Sequence, residues 1–220
     1  MSDTRRRILD SARALFNEHG LSRVGVRDVA RATGMSPGNL AYHFPTKGAL
    51  VTALLTELYE LNQSAVFTEP MQTFSLASLY AAATGAMRNM VGYRFVLLNY
   101  VDAVRASPEL AGLEAELAKK RRERHDRMLA ALVENGFVER AALARSDVLY
   151  EQSSMISSGW LTAAALRGWD DERAVLHFAK AGCALLAPHC TERGARQMRR
   201  ILRGELDGPA PKTKNERKGK

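Results

Sequence analysis

Cysteine is close to absent from this chain of 220 residues, with 2 in all, Cys183 and Cys190. They build no disulfide framework and read as thiols, and no paired Cys-x-x-Cys offers a structural zinc site. His177 and His189 lie near them, but the spacing does not put all four on one helical face, so no metal is expected. Strand signals are missing as well. No convincing run alternates apolar and polar residues, and no Asn-Gly or Asp-Gly turn joins two strand-like segments, which argues against a sheet. Enzyme signatures fail in turn. There is no GxxxxGK loop, and Ser157-Ser158-Gly159 lacks the flanking glycines and strand context of a nucleophile elbow. Neither an enzymatic activity nor a cofactor is expected. Long apolar runs are also lacking. The uncharged stretch 70–87 comes nearest to a bilayer span in length, yet Gln72, Thr73, Ser75, Ser78 and Thr84 make it too polar. The arginines near the N-terminus have no apolar run behind them, so no secretory signal is read and a cytoplasmic location is expected, with no membrane partner. Acidic residues, finally, fall short of basic ones, 24 against 32, and the net charge of +8 favours a polyanionic partner. Part of that excess sits in the polar, proline-containing segment 207–220, which reads as a disordered basic tail.

Helices account for almost everything else, so the fold expected is all-α. A first helix covers 4–19 and stops at Gly20; Arg5, Arg6 and Arg7 open it, against the helix dipole, where an external phosphate would offset a local cost. From Lys47 a helix carries Leu50, Leu54, Leu58 and Leu61 until Pro70 breaks it. Further helices are expected over 74–89 and 93–106, with a bend at Gly92. Pro108 starts a long one whose inner stripe is Leu110, Leu113, Leu117, Met128 and Leu132, closed by Gly136. Ser146 and Asp147 are placed to cap 148–167, Asp170 to cap a helix reaching about 187, and a basic helix over 192–205 comes last.

The segment 26–47, VRDVARATGMSPGNLAYHFPTK, is the most informative. Val26, Val29 and Ala30 recur at helical spacing up to Gly34, a helix-stopping glycine; Ser36 then caps a helix with Pro37 in its first turn. Two short helices at a tight glycine turn make a helix-turn-helix, whose second helix enters the DNA major groove. The side chains suit that use. Asn39 can donate to and accept from an adenine edge, Gly38 allows close backbone approach, and the Ala41 methyl can meet a thymine methyl. Tyr42 and His43 offer donors to phosphate oxygens; Lys47, with Thr46 beside it at the next helix start, can hold another, and Arg27 can grip the backbone of the same groove. Leu40 and Phe44 fit the inward face. The DNA-binding set is therefore Arg27, Ser36, Pro37, Gly38, Asn39, Ala41, Tyr42, His43, Thr46 and Lys47.

With its flanks, this unit resembles the TetR family of bacterial transcriptional regulators over about the first 65 residues. Ser36, Asn39, Leu40, Tyr42, His43, Phe44 and Lys47 match the family's recognition segment. Ala41 stands where an aromatic residue is frequent, which can change the bases read. Gly48 stands where an acidic residue is usual, which removes a carboxylate favourable at a helix N-terminus. The resemblance implies a helix-turn-helix domain over 1–47 and a helical regulatory and dimerisation domain over 48–206. It also implies a homodimer on a palindromic double-stranded operator, and a repressor released by a small-molecule effector.

Two features of the body bear on those implications. The helices over 148–167 and 170–187 mix apolar and small residues around the whole cylinder, Ser153, Ser154, Ser157, Gly159, Ala163 and Gly182 among them. That pattern asks for burial on more than one side, and a second copy of the chain would supply it. Effector-pocket candidates are Met87, Met90, Tyr93, Phe95, Asn99, Tyr100, His125, Met128, Gln152 and Trp160, though methionine and aromatic residues at helical spacing usually fill a core. The run KKRRERHDR over 119–127 reads most simply as a solvated face laced with pairs to Glu123 and Asp126; a pocket for an acidic ligand is the alternative. Two other readings stay open: a helical architectural protein that coats DNA without sequence preference, and a helical enzyme or binding module that merely retains the head.

Overall fold

The computed structural model describes residues 3–66, 70–106 and 108–207. Ten α-helices are found among them, joined by short 3-10 turns, and the sole extended pairing there is a bridge between Val138 and Cys190. The head comprises α1 (Asp3–His19), α2 (Val26–Thr33), α3 (Pro37–His43) and the first turns of α4 (Lys47–Val66). Ile8, Leu9, Ala12 and Phe16 of α1 meet Val29, Ala30, Leu40, Phe44, Leu50 and Leu54 in one buried cluster. Gly20 and Gly34 end α1 and α2 at φ 83° and 68°, the left-handed backbone that favours glycine.

The body holds α5 (Leu76–Val91), α6 (Arg94–Ala106), α7 (Pro108–Glu134), α8 (Ser146–Leu166), α9 (Asp171–Ala184) and α10 (Glu192–Leu202). Ser75 and Ser78 reciprocally cap α5, Asp170 accepts from Arg173 N at 2.9 Å to start α9, and Thr191 accepts from Gly194 N at 3.1 Å to start α10. A second cluster, with Phe74, Tyr80, Leu129, Leu132, Trp160, Val175 and Ile201, forms the core of the body. Its helices are tied by polar contacts too: Arg88 of α5 grips Glu172 through two bonds of 2.6 and 3.2 Å, and Arg94 meets Asp171 at 2.8 Å.

Several expectations move. Ser146 does not cap α8: a 3-10 turn over Arg140–Arg145 precedes that helix, and the Ser146 hydroxyl donates instead to Asp126 on α7 at 2.6 Å. The tail boundary at 207 is also displaced, because Asp207 accepts from Tyr80 at 2.5 Å and from Lys180 at 2.7 Å and so belongs to the body. The rest of the tail, 208–220, lies outside the described residues. No described helix is long and apolar enough to cross a membrane.

Among the described residues, two of the links between head and body stand out beside the packing of Leu110 and Leu113 of α7 on the head cluster. Helix α4 runs through both, with Leu50 to Leu58 in the head cluster and Asn62 bonded at 3.1 Å to Asn89 of α5. The other is a clasp between α1 and the α5–α6 corner. Asn17 donates to Gly92 O at 2.8 Å and accepts from Phe95 N at 3.2 Å, while Arg13 donates to the Tyr93 hydroxyl at 3.1 Å.

Candidate nucleic-acid interface and effector cavity

Helix α3 is short, and its two sides are sharply different. Leu40 and the adjoining Phe44 are fully buried, whereas Ser36, Pro37, Gly38, Asn39, Ala41 and Tyr42 are exposed, Tyr42 by 86 %. Burial of two large side chains fixes the helix on the head and projects the others outward. Ser36 accepts from Asn39 N at 3.2 Å, the cap expected from Ser-Pro. Tyr42 and His43 stack edge to face, ring centroids 5.4 Å apart, which holds both rings at the exposed end of α3. Arg27 is exposed on α2, and Thr46 caps α4 by accepting from Ala49 N at 3.0 Å.

Lys47 is placed differently from the phosphate-holding position read from sequence. Its Nζ donates to the Leu21 carbonyl and stands 6.0 Å from the Phe16 ring centroid, and burial pushes its pKa down. In this arrangement the ammonium serves the packing of the head. Arg5 and Arg6 are occupied likewise. Arg5 lies 4.3 Å over the Phe44 ring and donates to His43 O at 3.4 Å; Arg6 pairs with Asp10 at 3.1 Å and Glu57 at 2.6 Å. Arg7 remains exposed.

In the body, α5, α7, α8 and α9 enclose a cavity of about 250 Å³, mostly apolar. Of the sequence candidates Met87, Met90, His125 and Met128 line it. Tyr93 and Phe95 do not: they are buried in the head cluster, Tyr93 held by Arg13 and Phe95 packed 5.3 Å from Phe16. Trp160 is turned into the core 6.3 Å from Phe178, away from the lining, because it lies on the inner side of α8. Gln152 does not line this cavity but is exposed and lines a separate groove of about 360 Å³ with Val148 and His189. Asn99 and Tyr100 belong to α6, but their side chains lie outside the described ones.

The basic run on α7 divides between the two readings made of it. Arg122 pairs with Asp126 at 2.9 Å and Asp147 at 2.5 Å on the surface, as a laced face requires. Arg121, Arg124 and His125 line the cavity. His125 meets Tyr150 edge to face at 5.5 Å, and burial drives its pKa below the usual imidazole value. Sequence reading held Arg121 and Arg124 only within the alternative reading of the run 119–127 and missed Tyr150, although i, i+3 and i+4 steps from Leu117 to Met128 pass through both arginines. Cys183 also borders the cavity, and burial pushes its thiol up to about 12, which leaves it unreactive. Among the described residues no cluster of three or more histidines, cysteines or carboxylates could hold a metal.

A helix-turn-helix head on an all-helical body defines the class of DNA-binding transcriptional regulators. Comparison with known proteins agrees. The model for bacterial regulatory proteins of the tetR family matches residues 8–54, and that for a TetR bacterial transcriptional repressor matches 58–198. The chain therefore belongs to the TetR family, a family of regulators and not of enzymes. It is 26 % identical over 111 residues to the HTH-type transcriptional regulator UidR of Escherichia coli K12, a match covering 50 % of this chain and 56 % of that protein. Among solved structures, a TetR-family regulator from Marinobacter aquaeolei VT8 is similar at a TM-score of 0.78 and 20 % identity, over 94 % of this chain and 99 % of that one. A transcriptional regulator from Saccharomonospora viridis, solved with choline, is similar at a TM-score of 0.67 and 19 % identity, over 87 % and 100 %. At such identities the two structures speak for the fold alone.

Proposed function

We propose that this regulator is a repressor that binds a palindromic operator as a homodimer and leaves it when a small molecule enters the body cavity. The reading rests chiefly on α3, where Gly38, Asn39, Ala41 and Tyr42 stand exposed above buried Leu40 and Phe44. Asn39 and Ala41 read base edges, Tyr42 and His43 position the helix on phosphates, and Arg27 holds the backbone. Pairing comes from α8, whose exposed stripe Val148, Met155, Gly159, Thr162 and Leu166 keeps one face of an apolar helix uncovered in the single chain. A second copy laid on that stripe, with α9 alongside, presents two recognition helices at the spacing of successive major grooves, about 34–36 Å.

Release follows from the links between cavity and head. Met90 lines the cavity and also packs against the head cluster, and α4 touches both halves. A molecule that displaces Met90 or α4 moves each head relative to its partner and breaks the match to the operator. The Saccharomonospora regulator with choline supports a body of this fold as a small-molecule holder. Footprinting on the gene's own upstream region against random duplex tests the reading. Protection of an inverted repeat, lost as salt rises, is the result expected. Equal coating of both duplexes would favour an architectural protein instead.

A further inference from the structure

The polar end of the cavity holds charge that the protein itself leaves without a counter-charge. Arg124 lines the cavity, and its hydrogen-bond partner there is the neutral Gln63 Oε1 of α4 at 3.3 Å. Among the described residues no carboxylate lies within ion-pairing distance of it, whereas Arg121, lining the same end, pairs with Glu114. Burial is the largest influence and acts against the Arg124 charge, as do the nearby Arg121 and Arg127, with Tyr59 and Tyr150 opposing them. One turn of helix holds a second unmet group: His125 Nε2 is buried and has no hydrogen-bond partner. The opposite walls are apolar, with Met87, Met90 and Met128. A half-buried cation without a counter-charge at the cavity wall, and a buried imidazole nitrogen without a partner on the next residue, cost stability unless a ligand meets them.

We propose that the cavity takes an anionic amphiphile, a carboxylate on an apolar body, with the carboxylate on Arg124 and His125 and the body along the three methionines. The planar guanidinium matches a carboxylate through paired N–H donors, and His125, bonded to the Ser146 backbone through its other nitrogen, donates from Nε2 to the same group once the bound anion has drawn a proton onto the ring. Neutral or cationic ligands leave Arg124 as it is. The inference rests on the effector reading above and names the ligand class for it. Because Arg124 also holds Gln63, a carboxylate that draws the guanidinium away pulls on α4, the helix that continues into the head.

Titration calorimetry of the full chain with decanoate, decanol and decyltrimethylammonium, below their micellar concentrations, tests this. Decanoate is expected to bind at least about tenfold tighter than decanol, and decyltrimethylammonium more weakly still. Arg124→Gln should erase that advantage with decanol affinity unchanged, Arg124→Lys should restore part of it, and Met90→Trp should weaken decanoate and decanol alike by filling the cavity. Arg124→Gln without ligand should melt no lower than the parent; a structural prop would melt lower. Equal affinity for decanoate and decanol, or a preference that survives Arg124→Gln, overturns the inference while the cavity stands. Decanoate binding with that preference but without operator release sinks the effector reading and keeps the anion site. No binding by any of the three probes sinks both.

Discussion

His125 shows how much a single side chain can be asked to do. Its ring sits against Tyr150, and burial, the largest influence, lowers its pKa, with Arg122 adding to the effect and Asp126 opposing it. A group with a depressed folded pKa binds its proton later in the folded state than in the unfolded one. Stability is therefore lost as pH falls from about 7 through the usual imidazole value of about 6.5 toward 5. Urea unfolding midpoints across that range should fall for the parent, and His125→Gln should flatten the decline; identical profiles would remove His125 as the cause. At the other end of the molecule, Asn39→Ala should change which bases are preferred, whereas Tyr42→Ala should weaken binding to all sequences alike. Selection from a randomised duplex pool separates the two effects. The exposure of Asn39 and Tyr42 was legible from residue type and spacing, since Leu40 and Phe44 mark the inward side. The inward turn of Lys47 was not, because its acceptor, Leu21 O, is brought there by tertiary packing alone.

Among elements, the helices themselves were readable, because glycine and proline punctuate them and the apolar stripes run at helical period. Gly20, Gly34 and Gly136 all end helices at positive φ. What local pattern could not supply was contact between distant segments. The clasp of Asn17 on Gly92 and Phe95 leaves no periodic trace in either segment, and so Tyr93 read as a pocket residue when it is part of that clasp. Ser146 read as a cap for the same reason, its actual partner, Asp126, lying on another helix. The start of α10 shows another such contact. A Cβ on Gly194 would fall 1.9 Å from Phe137 O and 3.2 Å from Cys190 Cβ, so only glycine allows α10 to lie against that strand-like corner. Gly194→Ala should cost about 2–3 kcal/mol, read from denaturant unfolding. A neutral outcome would mean that α10 packs less closely than described.

Taken whole, the molecule is a head whose position depends on its body and a body with one helix face left bare. Val148, Met155 and Leu166 are exposed by 48, 73 and 85 %. Glutamates at Met155 and Leu166 together should hold the chain monomeric in sedimentation without lowering its helix content. Operator affinity should then drop by about 100-fold or more, since the two heads no longer bind as one unit. The most direct test of the paired-head account is the mass of the complex on two duplexes, one with both half-sites of the operator and one with a single half-site. The account predicts two chains on the full operator, held far more tightly than any chain on the half-site. One chain per operator, or equal affinity for both duplexes, would contradict it.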